Sequence, residues 1–112
     1  MAAVLRGDVF WADLDPAPGR EPSGLRPVVL VLSQELFNRR SGTVIAMAIT
    51  SQPSSAGFPV TLPVSSGRLH KESWIKISQI RTIPVERLGR KIARLEEEQL
   101  NQVVDGLLEL IT

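Results

Sequence analysis

Two short stretches of this chain carry residue types that can do chemistry. Arg26 stands before Pro27 and the apolar run Val28-Val29-Leu30-Val31-Leu32, and Thr50-Ser51-Gln52 closes a second apolar run. Arginine supplies a permanent cation with a planar fork of donors, and the hydroxyls and the amide supply neutral donors and acceptors. Brought together, they suit a phosphate, and hence the recognition or transfer of a phosphodiester. The same residues also have plain structural readings. Arg26 can be a strand-edge arginine paired with Glu21 or an aspartate, and Thr50-Ser51 can cap a turn. Trp11, Trp74, Phe10 and Phe58 sit in strand patterns and read as core rather than as stacking platforms for bases.

Other chemistries find little support. The acids are scattered, without HExxH or DxD spacing, so neither a metal nor any other cofactor is expected. The single histidine, His70, lies in the polar segment Gly67-Arg68-Leu69-His70-Lys71, outside any nucleophile-elbow context, and reads as surface. No glycine-rich phosphate loop opens a helix, and the absence of cysteine removes thiolate chemistry. What remains is phosphodiester cleavage without a metal, which RNA permits because its own 2′-hydroxyl can attack the adjacent phosphate. The protein then has to align the strand, stabilise charge on the phosphorane oxygens and move protons. Arg26 suits the charge, and Thr50 can hydrogen-bond a phosphate oxygen. Arginine stays protonated and is a poor base, so the proton acceptor lies elsewhere or is water. Residue types and spacing by themselves support a small β-rich domain with an anion site.

The elements that must position these residues follow from periodicity. A length of 112 residues fits one domain spanning 1–112. Asp8 to Leu14 reads as a strand ending at Asp15-Pro16. A loop rich in proline and glycine follows, too irregular for a ladder and long enough to be functional. Arg26–Leu32 reads as a buried strand, Ser33 as the cap of a short helical turn ended by Arg39-Arg40-Ser41-Gly42, and Thr43–Thr50 as a second apolar strand. After a Ser/Gly/Pro loop at 51–57 come a weaker strand, Phe58–Leu62, and two β segments, Ser73–Ile77 and Gln79–Ile83, stopped by Pro84. Consecutive short strands without alternating helices argue for an antiparallel barrel or sandwich. Leu100, Val103, Val104, Leu107, Leu108 and Ile111 recur at helical spacing, so the tail is an amphipathic helix packed on the strands. Gly106 breaks its pattern, which points to close approach of another element.

Charge is segregated. Residues 68–94 hold eight basic residues against Glu72 and Glu86, whereas 95–112 hold five acids and no base. The basic stretch either attracts a polyanion or is a solvated surface. Glu96, Glu97 and Glu98 are explained by the first turn of the tail helix, where its dipole favours negative charge. Without cysteines, a secretory leader or a membrane-length apolar run, a cytoplasmic protein with no membrane association is expected.

Four segments in order resemble the MazF/PemK toxin family. They are Arg6-Gly7-Asp8-Val9-Phe10-Trp11-Ala12-Asp13-Leu14-Asp15-Pro16; Glu21 to Leu32 with Gly24 and Arg26-Pro27-Val28-Val29; Thr50-Ser51-Gln52; and Ile77-Ser78-Gln79-Ile80-Arg81-Thr82-Ile83. The resemblance implies a mainly β fold with some α: an SH3-like, partly open antiparallel barrel with a C-terminal amphipathic helix, of the CcdB/PemK-like toxin type. It implies a homodimeric, sequence-selective, metal-independent endoribonuclease acting on single-stranded RNA and paired with a MazE-like antitoxin whose C-terminal segment is acidic. By position, Arg26 matches the family's catalytic arginine and Thr50 its catalytic threonine or serine. The reaction implied leaves a 2′,3′-cyclic or 3′-phosphate and a 5′-hydroxyl. Ser78 stands where some relatives carry a carboxylate, and Lys76 where some carry arginine. Serine cannot act as that acid or base, which shifts the burden to Arg26, Thr50 and Glu21, the last as orienter of Arg26 or acceptor of the 2′ proton. Ser51, Gln52, Lys76, Ser78, Gln79 and Arg81 are the expected RNA contacts. Two other readings stay open: a CcdB-like toxin that poisons gyrase by binding, and an inert SH3-like module that binds RNA or a partner.

Overall fold

The computed structural model describes residues 3–13, 27–65 and 72–112. Among these, the elements in chain order are β1 (Asp8–Ala12), β2 (Val28–Val31), α1 (Glu35–Ser41), β3 (Thr43–Thr50), β4 (Thr61–Val64), β5 (Ser73–Pro84), β6 (Leu88–Arg94) and α2 (Glu97–Ile111), with a short 3-10 turn at Val85–Arg87 before β6. The strands form one antiparallel sheet in the order β4-β5-β3-β2-β1-β6. The sheet is not closed, since β4 and β6 lie at opposite ends of that order. The mainly β, partly open antiparallel arrangement with a C-terminal helix is therefore as expected.

The unbroken apolar run of β2 is explained by its central place. Leu30 packs with Val9, Met47, Ile75 and Ile77 on the face covered by Leu100 and Val103 of α2. Val29 and Val31 point the other way, into a cluster with Phe10, Val44, Ala46 and Ile83, joined by Val4, Val85 and Leu88. A strand buried on both faces has no polar side to alternate with. β3 shows the same two-sidedness, with Val44 and Ala46 in one cluster and Met47 and Ile49 in the other.

Several boundaries differ from those read in the sequence. Ser33 does not cap α1: Gln34 is the N-cap residue, without a side-chain bond. Ser33 is buried instead, donating to Asn38 Oδ1 and accepting the Ile45 N–H at 2.8 Å. Asn38 in turn donates to the carbonyls of Val4 and Ser33, so this pair ties α1 and the N-terminal segment to β3. The weak strand expected at 58–62 begins only at Thr61, because a turn entered through Gly57 at φ 70 occupies the residues before it. The two segments at 73–83 are one long strand, β5, bent at an internal bulge. β6 is an additional strand. Its cationic residues and Gly89 suit an edge position, where it pairs with β1.

The helix glycine does serve close packing. A Cβ on Gly106 would lie 2.8 Å from Ile77 Cδ1 and 3.0 Å from Phe58 Cε1. Ile77 is fully buried and cannot withdraw, whereas Phe58 is half exposed. Gly106→Ala is therefore expected to destabilise the protein by about 1–2 kcal/mol, the overpacking exceeding the roughly 1 kcal/mol gained in helix propensity. Chemical denaturation would check this, and Ile77→Val in the same chain should recover part of the loss.

Candidate active site

Thr50 is the last residue of β3 and is half-buried. Its Oγ1 accepts the Gln52 N–H at 3.1 Å, so the hydroxyl does close the turn that follows. That bond uses one lone pair and leaves the O–H free to donate, so the turn-capping and phosphate-binding readings of Thr50 are compatible. β3 is regular where it pairs with β2, Val28 facing Ile49 and Val31 facing Ala46. Strand alternation then puts Ala46, Ala48 and Thr50 on one face.

Pairing with β5 extends this face. Thr50 is opposite Trp74 and Ala46 is opposite Arg81, and directly opposed residues share a face. Lys76, two residues beyond Trp74, joins it and is opposite Thr61 of β4. The sheet thus gathers Thr50, Trp74, Lys76 and Arg81, with Thr61 beside Lys76. Between Met47 and Ile49 of β3 the β5 partner jumps from Ile80 to Ile75, three residues more than a regular ladder would use. The surplus holds Lys76 to Gln79 away from β3, with the Ile77 and Ser78 N–H groups both donating to the Val60 carbonyl. Ser78 and Gln79 are exposed there, Lys76 is half-buried, and Ala48 has no β5 partner in the ladder. Bulges of this kind re-aim side chains and open a sheet surface.

Ser51 and Gln52 are exposed in the turn beyond Thr50. Arg26, Glu21 and His70 lie outside the described residues. The first described residue after Arg26 is Pro27, whose carbonyl accepts the Ala12 N–H at 3.0 Å, immediately before Val28 takes its place opposite Ile49. Trp74, a core residue by its strand pattern, is instead half-buried on the Thr50 face. Thr61 carried no signal in the sequence beyond its place in a weak strand, and only the strand register brings it beside Lys76.

Five described cations of the basic stretch divide between two roles. Lys91 and Arg94 of β6 are spent on Asp8, at 3.1 and 2.7 Å, and Arg87 donates to the Asp13 carbonyl. Lys76 and Arg81 form no ion pair among the described residues and stand on the Thr50 face, so the local field there is positive. Among the described residues, no group of three or more His, Cys, Asp or Glu is gathered where a metal could bind. No helix among them is long and apolar enough to cross a membrane.

An open antiparallel sheet backed by a C-terminal helix is the fold of a defined class of toxins. Residues 5–111 fit the family of PemK-like, MazF-like toxins of type II toxin-antitoxin systems, and the chain belongs to that family. It is 42% identical over 106 residues to Endoribonuclease EndoA of Bacillus subtilis (strain 168), covering 93% of this chain and 90% of that protein. Among solved structures, MazF of Deinococcus radiodurans superposes with a TM-score of 0.79 at 22% identity, covering 99% of this chain and 98% of that one. An endoribonuclease in complex with its cognate antitoxin from Mycobacterial species gives 0.74 at 20% identity, covering 99% and 95%. These structural likenesses show the fold.

Proposed function

We propose that this MazF-like endoribonuclease toxin cuts single-stranded RNA at selected sequences, without a metal, by attack of the substrate's own 2′-hydroxyl. The observation that carries the reading is the shared face of Thr50, Trp74 and Lys76 at the end of β3 where β2, the strand that follows Arg26, begins, with Arg81 on the same face further back, opposite Ala46. The 2′-oxygen forms a bond to phosphorus and the 5′-oxygen leaves, giving a 2′,3′-cyclic phosphate, which water can open to a 3′-phosphate, and a 5′-hydroxyl. Arg26 neutralises charge on the non-bridging oxygens, and the Thr50 O–H donates to one of them. Glu21 orients Arg26 or takes the 2′ proton. Lys76 and Arg81 attract the backbone, while Ser51, Gln52, Ser78 and Gln79, all exposed, contact the flanking nucleotides.

The protein acts as a single domain in a cytoplasmic homodimer. Its antitoxin partner uses an acidic, largely disordered segment that competes with RNA for the same cations. The test is cleavage of a long unstructured RNA in EDTA, with the cut ends mapped. Cutting is expected to persist, with cyclic or 3′-phosphate and 5′-hydroxyl termini. A substrate carrying one 2′-deoxyribose on the 5′ side of the cut should resist cleavage there and nowhere else. Cutting at that deoxy position, or 5′-phosphate products, would sink the 2′-hydroxyl route.

A further inference from the structure

The Thr61 hydroxyl is the one buried side-chain polar atom among the described residues without a hydrogen-bond partner. Thr61 is 3% exposed, at the first position of β4. Its backbone is well tied: the N–H donates to the Gly57 carbonyl at 2.9 Å, and the preceding carbonyl, that of Val60, holds the bulge at Ile77 and Ser78. Thr61 therefore sits where three features meet, namely the end of the 51–57 loop, the bulge of β5, and Lys76 directly across the ladder. Valine has the same shape and at least the same preference for a strand, so packing gives no reason for a hydroxyl here. Native proteins pair nearly all buried polar atoms, and an orphan calls for an explanation.

Resting on the endoribonuclease reading above, we propose that Thr61 is a specificity-determining residue: its hydroxyl hydrogen-bonds the base edge of a nucleotide flanking the cut. Lys76 is its cross-strand neighbour, half-buried and without an ion-pair partner among the described residues. A lysine stem directly across the ladder can cover such a hydroxyl in the free protein, as long cationic side chains commonly cover their neighbours. When a phosphate draws the ammonium outward, the stem swings away and the base edge enters beside Thr61. Trp74 stands next along the same face, opposite Thr50, so the nucleotide that meets Thr61 is close to the scissile phosphate. A buried group that finds its partner only in the correct substrate discriminates strongly, because the wrong base leaves it unpaired again.

The experiment uses the full-length protein and a pool of single-stranded RNA randomised around a preferred cut site, comparing wild type with Thr61→Val and Thr61→Ser. For Thr61→Val, KM for the preferred sequence is expected to rise about tenfold with kcat nearly unchanged, and base preference to relax at one flanking position only. Its thermal midpoint should be equal to or above that of wild type, since a buried orphan has been removed. Thr61→Ser should keep the base preference. If Thr61→Val keeps both the KM and every positional preference while the wild type cuts RNA, the inference fails and the endoribonuclease reading stands. A wild-type protein that cuts nothing in the pool overturns both.

Discussion

Thr50→Val is expected to lower kcat/KM for RNA cleavage by about 10²- to 10³-fold, the usual loss when one donor to a developing oxyanion is removed. Arg26→Ala should do at least as much, because it removes a full charge. Valine keeps the β-branch that suits the last position of β3, so the strand and its pairing with Trp74 persist. The bond lost in the free protein is the one from the Gln52 N–H, and Gln52 is exposed, so water replaces Thr50 there at a cost of about 0.5–1 kcal/mol. Circular dichroism and the denaturation midpoint should therefore barely move while the rate collapses. Thr50→Ser should retain most of the activity, since it restores the O–H in the same turn. The double variant should lose less than the product of the two single losses, as expected of groups acting on one transition state. Glu21→Gln extends the same test: a wild-type rate from about pH 5 to 9 would remove Glu21 as base or orienter. A Thr50→Val protein cutting at the wild-type rate would confine Thr50 to its turn.

Much of this arrangement is legible in the sequence, and the reason is burial. Thr43–Thr50 is read with its true boundaries because an apolar strand bracketed by Gly42 and by Ser51-Gln52 leaves little choice. The tail helix is read because Leu100 and Val103 must be covered and recur at helical spacing. Gly106 is legible as a point of close approach, although only the structure names Ile77 and Phe58 as the neighbours. β6 escapes notice because Leu88-Gly89-Arg90-Lys91-Ile92-Ala93-Arg94 has the composition of an edge, where cations and glycine weaken the strand signal and guard against mispairing. Ser33 misleads for a different reason. Its partners Asn38 and Ile45 are brought to it by the fold of α1 onto β3, and a serine before a short apolar stretch looks like a cap until those partners are known.

The site divides along the same line. Thr50 is legible because chemistry and strand end coincide in one residue. Thr61 is not, because it stands at the start of a weak strand and only the pairing of β4 with β5, which no local pattern specifies, places it across from Lys76. Lys76, Ser78 and Gln79 are recognisable as a motif, but the surplus residues that lift them away from β3 have no local signature. The family motif at Arg6-Gly7-Asp8 proves to be architectural over Gly7 and Asp8. Gly7 has φ 99, and its N–H and carbonyl join Val31 and Leu95, while Asp8 is 1% exposed. A left-handed backbone position pressed against Leu100 needs glycine, so this part of the motif reports the scaffold.

Asp8→Ala should then produce the largest loss of stability, about 2–3 kcal/mol. Oδ2 accepts the Leu5 N–H at 2.9 Å, and Oδ1 receives Arg94 at 2.7 Å and Lys91 at 3.1 Å. Asp8 lies opposite Arg94 in the β1–β6 ladder, which is interrupted by two register shifts and so depends more than the other pairings on side-chain ties. Breaking a buried ion pair commonly costs about 3–5 kcal/mol because one charge is left stranded. Here the stranded partners are half exposed, with 49% of each side chain accessible, so water can solvate them and the cost falls to the lower figure. Arg94→Ala and Lys91→Ala should each cost less than Asp8→Ala, since the remaining cation still serves the carboxylate. Urea midpoints with an unchanged slope would measure all three. Asp8→Asn separates charge from hydrogen bonding, because its amide oxygen can still accept the Leu5 N–H. If Asp8→Asn is as stable as wild type, the two cations contribute nothing to the seam and the backbone bond carries it.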